Sequence, residues 1–157
     1  MMKLDIPDWN EVCSFIKKED VYEQEDKGIV DDPHVTVLYG YYSFVSPNDV
    51  VKVLRTLKQP TVEFGDIGVF ENNPEFDVVM IKVKSDNLAE MNLSLSALPH
   101  ETTYSDYKPH VTIAYVKKGT GKKYEGLTVN FPSELVLTDA VYSMPDGQKI
   151  SIELNER

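Results

Sequence analysis

Two histidines stand in the same short phrase, Pro33-His34-Val35-Thr36-Val37-Leu38-Tyr39 and Pro109-His110-Val111-Thr112-Ile113-Ala114-Tyr115, the second 76 residues after the first. In each, one apolar residue separates a histidine from a threonine within a run that reads as a buried strand, and side chains two apart on a strand share a face. Two such strands side by side would bring two imidazoles and two hydroxyls to one cleft. An imidazole titrates near neutrality, at about pH 6.5 unperturbed, so it serves as base or acid. A phosphodiester is cleaved when a base takes the proton of the attacking oxygen, an acid protonates the leaving oxygen and donors hold the non-bridging oxygens. His34 and His110 fit the first two roles and the hydroxyls of Thr36 and Thr112 the third. No metal or other cofactor is required, and the residues leave open which histidine is acid and which is base.

Chance is a poor account of the pair. With nine threonines in 157 residues, two of the three histidines having Thr two places on is an event of about 1%. A histidine satisfied in the core would explain neither the duplication nor the placement of both at strand starts. The third, His100, lies in a loop without a Thr partner and reads as surface or ligand rim. Among the aromatics, Trp9, Phe70, Tyr104, Tyr107 and Tyr142 could stack on bases, although Trp9 sits on a helix stripe and reads as core. Tyr107 and Lys108, directly before the second motif, are candidates for a base stack and a phosphate contact. Tyr39 and Tyr115, three residues past each Thr, are expected on the opposite strand face, as packing.

The composition narrows the ligand. Net charge is −10 and no Lys/Arg block exceeds two residues (Lys17-Lys18, Lys117-Lys118, Lys122-Lys123). Proteins that track long nucleic acids carry a basic stripe, because neutralised phosphates supply most of the affinity. A small ligand with few phosphates is easier to reconcile with an acidic shell. A single cysteine, Cys13, excludes an internal disulfide and a Cys-rich zinc site. The chain lacks a signal-peptide pattern and any run of roughly 18 apolar residues, so a soluble protein in a reducing cytoplasm is expected.

The elements that would position these residues follow from periodicity. Trp9, Val12, Cys13 and Ile16 mark a short amphipathic helix within Asp8 to Lys17, followed by an irregular acidic stretch, Glu19 to Asp32. The first motif strand runs His34 to Tyr39. Ser46-Pro47 opens a helix with Val50, Val53, Leu54 and Leu57 on one stripe. Val62 to Phe70 and Phe76 to Val83 read as strands, and Ser85-Asp86 opens a helix carrying Leu88, Met91, Leu95 and Leu98. The second motif strand runs His110 to Val116. Leu127–Phe131, Glu134–Ser143 and Lys149–Leu154 are β-like, the last two meeting at Pro145-Asp146-Gly147. The order gives one α+β domain, residues 1–157, with an internal pseudo-repeat and lobes of roughly 1–84 and 85–157 that interlock.

The paired His-x-Thr strands resemble the 2H phosphoesterase superfamily, which includes RNA cyclic phosphodiesterases, 2′-5′ RNA ligase-like proteins and enzymes that destroy oligonucleotide second messengers. The resemblance implies a bilobal fold: two pseudo-twofold-related lobes, antiparallel sheets lining a central cleft, helices outside. It implies His34, Thr36, His110 and Thr112 as the catalytic set; Phe70, Tyr107, Lys108 and Tyr142 are candidate substrate contacts by their residue types and positions alone. The short loops and the form Asp31-Asp32-Pro33-His34-Val35-Thr36 resemble the compact phage branch. That branch includes anti-CBASS nucleases, which cleave the cyclic di- and trinucleotides that trigger abortive infection in bacteria. The implied activity is thus a metal-independent phosphodiesterase on a cyclic oligonucleotide, acting in the host cytoplasm if phage-encoded. Alternatives are RNA 2′,3′-cyclic phosphodiesterase or 2′-5′ RNA ligase-like end processing, and a non-catalytic nucleotide sponge.

Overall fold

The computed structural model describes residues 1–24, 27–101 and 106–157; Tyr104 lies outside the described residues. The strands are β1 (Met2–Lys3), β2 (His34–Val35), β3 (Thr61–Phe70), β4 (Phe76–Lys84), β5 (His110–Lys117), β6 (Glu134–Val136), β7 (Asp139–Ser143) and β8 (Lys149–Glu153). The helices are α1 (Trp9–Val12), α2 (Pro47–Thr56) and α3 (Asp86–Leu95). The strands form one open antiparallel sheet in the order β6-β3-β4-β5-β2-β1-β7-β8, a mixed α and β fold. The two motif strands are the middle pair. One half of the sheet, β3 to β6, comes from the middle of the chain, and the other, β1, β2, β7 and β8, from its two ends.

One row of side chains crosses seven of the eight strands. Direct cross-strand pairing links Ile67 to Ile81, Ile81 to Val111, Val111 to Val35, Val35 to Met2, Met2 to Ala140 and Ala140 to Ile152. All seven are buried, five of them completely. Directly opposed residues share a sheet face, so the row marks the core face. The helices join this core through Val50 and Leu54 of α2 and Leu88, Met91 and Leu95 of α3. Ser85 caps α3, its hydroxyl accepting from the Leu88 N–H at 3.1 Å and donating to the Thr61 carbonyl at 2.6 Å.

Several elements differ from the expectation. The helix expected over Asp8 to Lys17 is a single turn followed by a 3-10 turn, Cys13–Phe15. Ile16 is extended, and the Lys17 N–H donates to the Tyr124 hydroxyl, so tertiary bonding ends the helix. The first motif strand is two residues, not six. Past Val35 the antiparallel register runs β2 off the start of β5, which begins at His110 after Pro109, a residue without an N–H. Beyond the other end of β2 the edge of β5 is bonded by residues earlier in the chain, the Tyr22 N–H donating to Tyr115 O, the Tyr115 N–H to Gly28 O and the Val30 N–H to Ile113 O. Leu127–Phe131 forms no strand; Phe131 packs edge-on against Phe64 and Trp9. The run Glu134–Ser143 divides at buried Leu137, β6 pairing with β3 and β7 with β1. Two residues suffice for this step because the ends of the sheet are tied together: the Leu137 N–H donates to Pro60 O and Lys58 bridges Asn155.

Buried carboxylates anchor the chain after β5. Asp77 accepts the N–H groups of Gly119 at 2.9 Å and Gly121 at 3.1 Å, with the Lys118 ammonium 3.2 Å from its other oxygen. A Cβ on Gly121 would fall 2.8 Å from that of Asp77, so the close approach requires glycine.

Because Ile81 is fully buried between Ile67 and Val111, Ile81→Ala should lower unfolding free energy by about 2–5 kcal/mol. At exposed Lys84 on the same strand, alanine should cost no more than about 0.5 kcal/mol. Urea titration of both variants compares them, and equal losses would contradict the row as the core.

Candidate active site

The pairing that assembles the site is Val35 with Val111, antiparallel and both fully buried. Continuing the register by one residue each way sets His34 across from Thr112 and Thr36 across from His110. All four are half-buried on the face opposite the core row. Each imidazole therefore has the other motif's hydroxyl as its cross-strand neighbour, with Cβ atoms in such pairs about 4.5–5.5 Å apart.

The histidine rings are held alike. Nδ1 of His34 lies 2.9 Å from the Asp32 carbonyl and Nδ1 of His110 lies 2.8 Å from the Lys108 carbonyl. A carbonyl oxygen only accepts, so Nδ1 carries a proton in both rings and Nε2 is the basic nitrogen of the neutral form. Pro33 and Pro109 restrict Asp32 and Lys108 to extended geometry. His100 follows Pro99 and makes the same bond, to Leu98 O at 2.8 Å, so the bond is a property of Pro-His and does not by itself mark a catalytic ring. The His100 ring instead stands edge-on to Tyr41, outside the paired set.

Burial lowers the His110 pKa below that of an ordinary imidazole, against the bond to Lys108 O, and the charge of nearby His34 lowers it further. Phe70 closes over this ring edge-on, with centroids 4.8 Å apart and planes at 86°. The remaining candidates divide. Tyr107 is partly buried against the core and its hydroxyl donates to the Thr36 carbonyl at 2.9 Å, tying the approach to the second motif onto the first. Burial raises the pKa of its phenol. Lys108 is exposed, and its backbone carbonyl is what orients His110. Tyr142 lines a cleft of about 410 Å³ together with His34, Thr36 and Tyr39. By strand alternation Tyr142 belongs to the face of buried Ala140, and its ring stands edge-on to Tyr41.

Two expectations about tyrosines change. Tyr39 is 76% exposed rather than packed, because β2 ends before it. Tyr115 shares the histidine face: a bulge between the Val79–Ala114 and Met80–Thr112 pairs shifts the alternation, and Tyr115 pairs with Val78. Two lysines also lie on this face. Lys82 is the cross-strand partner of His110 and Lys3 that of His34. Only the register could have revealed them.

A family model described as anti-CBASS protein Acb1 matches residues 4–143. The chain belongs to that family. The match takes in both His-x-Thr pairs, Phe70, Tyr107, Lys108 and Tyr142. A comparison with curated proteins finds no match. Membership of the Acb1 family gives the chain a role in countering CBASS, and with it a place in phage evasion of host defence. Among the described residues, no helix is long and apolar enough to cross a membrane.

If the Tyr107 hydroxyl holds Thr36 in place, Tyr107→Phe should lower stability by about 0.5–1.5 kcal/mol. It should also shift the amide resonance of Val37, whose N–H shares a peptide group with the Thr36 carbonyl. A spectrum and a melting temperature both unchanged would contradict that role.

Proposed function

We propose that this Acb1-family chain is a metal-independent phosphodiesterase that opens cyclic di- or trinucleotide signals by acid–base catalysis between two histidines, in the manner of 2H phosphoesterases. The observation that carries this is the Val35–Val111 pairing, which gives each histidine the other motif's threonine as neighbour. A scissile phosphate over this square would have an imidazole on either side and a hydroxyl beside each.

The roles can be divided. His110 is the ring whose pKa burial lowers, so it is the one kept neutral and is the base. Its Nε2 takes the proton of the 2′-hydroxyl, whose oxygen forms the new bond to phosphorus as the P–O5′ bond breaks. His34, protonated, gives its Nε2 proton to the departing 5′-oxygen. Thr36 and Thr112 donate to the non-bridging oxygens, which gain charge in the transition state. The product is linear and ends in a 2′,3′-cyclic phosphate, and both rings regain their starting protonation from solvent.

The direct test is incubation with cyclic dinucleotides, cyclic trinucleotides and single-stranded RNA of about twenty nucleotides in EDTA at about 150 mM salt, with products identified by mass. The acidic surface favours the small rings, so these should be cut far faster than the RNA. Comparable or faster cleavage of the RNA would replace this reading with RNA-end processing. No cleavage, with retained binding, would leave a sponge.

His34→Ala and His110→Ala should each lower turnover by at least about 100-fold with folding intact by circular dichroism. In the wild type the rate should rise with pH through the lowered pKa of His110, as that base is freed, and an acid–base pair requires it to fall again at higher pH, where the general acid is spent. In His34→Gln the His110 ring, relieved of a neighbouring positive charge, should titrate at higher pH by NMR. A flat pH profile would remove the two-histidine mechanism.

A further inference from the structure

The geometry points to Lys82 and Lys3 as the phosphate-holding cations of this site, with Asp66 as the counter-ion that Lys82 leaves when an anionic ligand arrives. The inference rests on the phosphodiesterase reading and adds the residues that attract the phosphates. On the histidine face the register gives two rows. Lys82, His110 and Thr36 stand across from one another on β4, β5 and the end of β2; Thr112, His34 and Lys3 do so on β5, β2 and β1. A lysine therefore stands outside each histidine, at opposite corners of the square. Neighbouring strands are about 4.8 Å apart, well within a lysine side chain's length, so each ammonium can meet a phosphate lying over the adjacent ring.

Lys82 is held away from that position by Asp66. Its ammonium is 3.4 Å from the Asp66 carboxylate on β3, and its stem lies over Gly68, where a Cβ would fall 3.0 Å from Lys82 Cε. Both partners are about half exposed, at 55% and 44%. An ion pair so open to water contributes little, typically 0–1 kcal/mol. A phosphate beside His110 is a competing anion with oxygens fixed in a drier place, and exchanging one weak partner for it costs little. Lys3, exposed on β1, makes no ion pair among the described residues and needs no release. Two cations also match the minimum of two phosphates in a cyclic dinucleotide, which explains how a chain of net charge −10 holds a polyanion without a basic stripe.

The test uses the whole chain with 3′,3′-cyclic di-AMP and cyclic tri-AMP, following both KM and equilibrium binding to the His110→Ala form. Lys82→Met and Lys3→Met should each weaken binding about tenfold at low salt, with the loss shrinking as salt screens the charges. Asp66→Asn should tighten binding several-fold, and this gain should vanish in the Lys82→Met background, since its only route is the freed lysine. Wild-type turnover with unchanged affinity in both lysine variants would overturn this inference and leave the phosphodiesterase reading standing. An Asp66→Asn effect equal in both backgrounds would overturn the counter-ion role. Absence of both turnover and binding by the wild type would overturn the inference along with the reading it rests on.

Discussion

The buried row from Ile67 through Ile81, Val111, Val35, Met2 and Ala140 to Ile152 is the constraint on which the site depends. Strand periodicity is two, so once these side chains are in the core their neighbours on either side must face the other way. His34, Thr36, His110, Thr112, Lys3 and Lys82 are those neighbours. A slip of one residue between β2 and β5 would bury the imidazoles and expose the valines. The burial of Val35 and Val111 opposes that slip with roughly 1.5–3 kcal/mol per side chain. The chemistry is thus held in register by apolar groups that never meet a ligand.

The same logic explains what could be read from the sequence. The strands β3, β4 and β5 and the helices α2 and α3 are long enough for their periods to show, and the His-x-Thr phrases carry their own duplication. Other features leave no such trace. β1 is two residues long, too short for any period, yet it joins β2 to β7. The bulge that turns Tyr115 to the histidine face is a single extra residue in β5. β2 stops after Val35 because its partner β5 begins at His110, opposite Thr36, an end set by a strand far along the chain. Lys82 and Asp66 meet across a strand pair whose alignment no local pattern specifies. Even the role of Tyr107 lies in its hydroxyl reaching a backbone carbonyl 71 residues away.

Charge is arranged on a shorter scale than composition suggests. Counted over the chain it is strongly negative, but fields from exposed groups are screened beyond about 8 Å at physiological salt. Around the histidines the relevant neighbours are Lys3 and Lys82, with Asp66 drawn to one of them. An acidic protein can therefore hold a small locally positive surface, while its outer shell disfavours long polyanions.

The pairing of Met2 with Ala140 bears on how the molecule comes into being. The central strands join segments far apart in the chain, Val35 with Val111 and Met2 with Ala140. Such non-local pairings close large loops before they are rewarded, which places folding toward the millisecond-to-second end of the range for single domains. A ribosome adds about 5–20 residues per second, so the first histidine waits several seconds for its partner strand to emerge. Until β7 arrives β1 has only one neighbour, and the central strands are an open edge exposed to mispairing. Chaperone occupancy and premature truncation would then act on this protein as all-or-none controls on how much of it becomes competent.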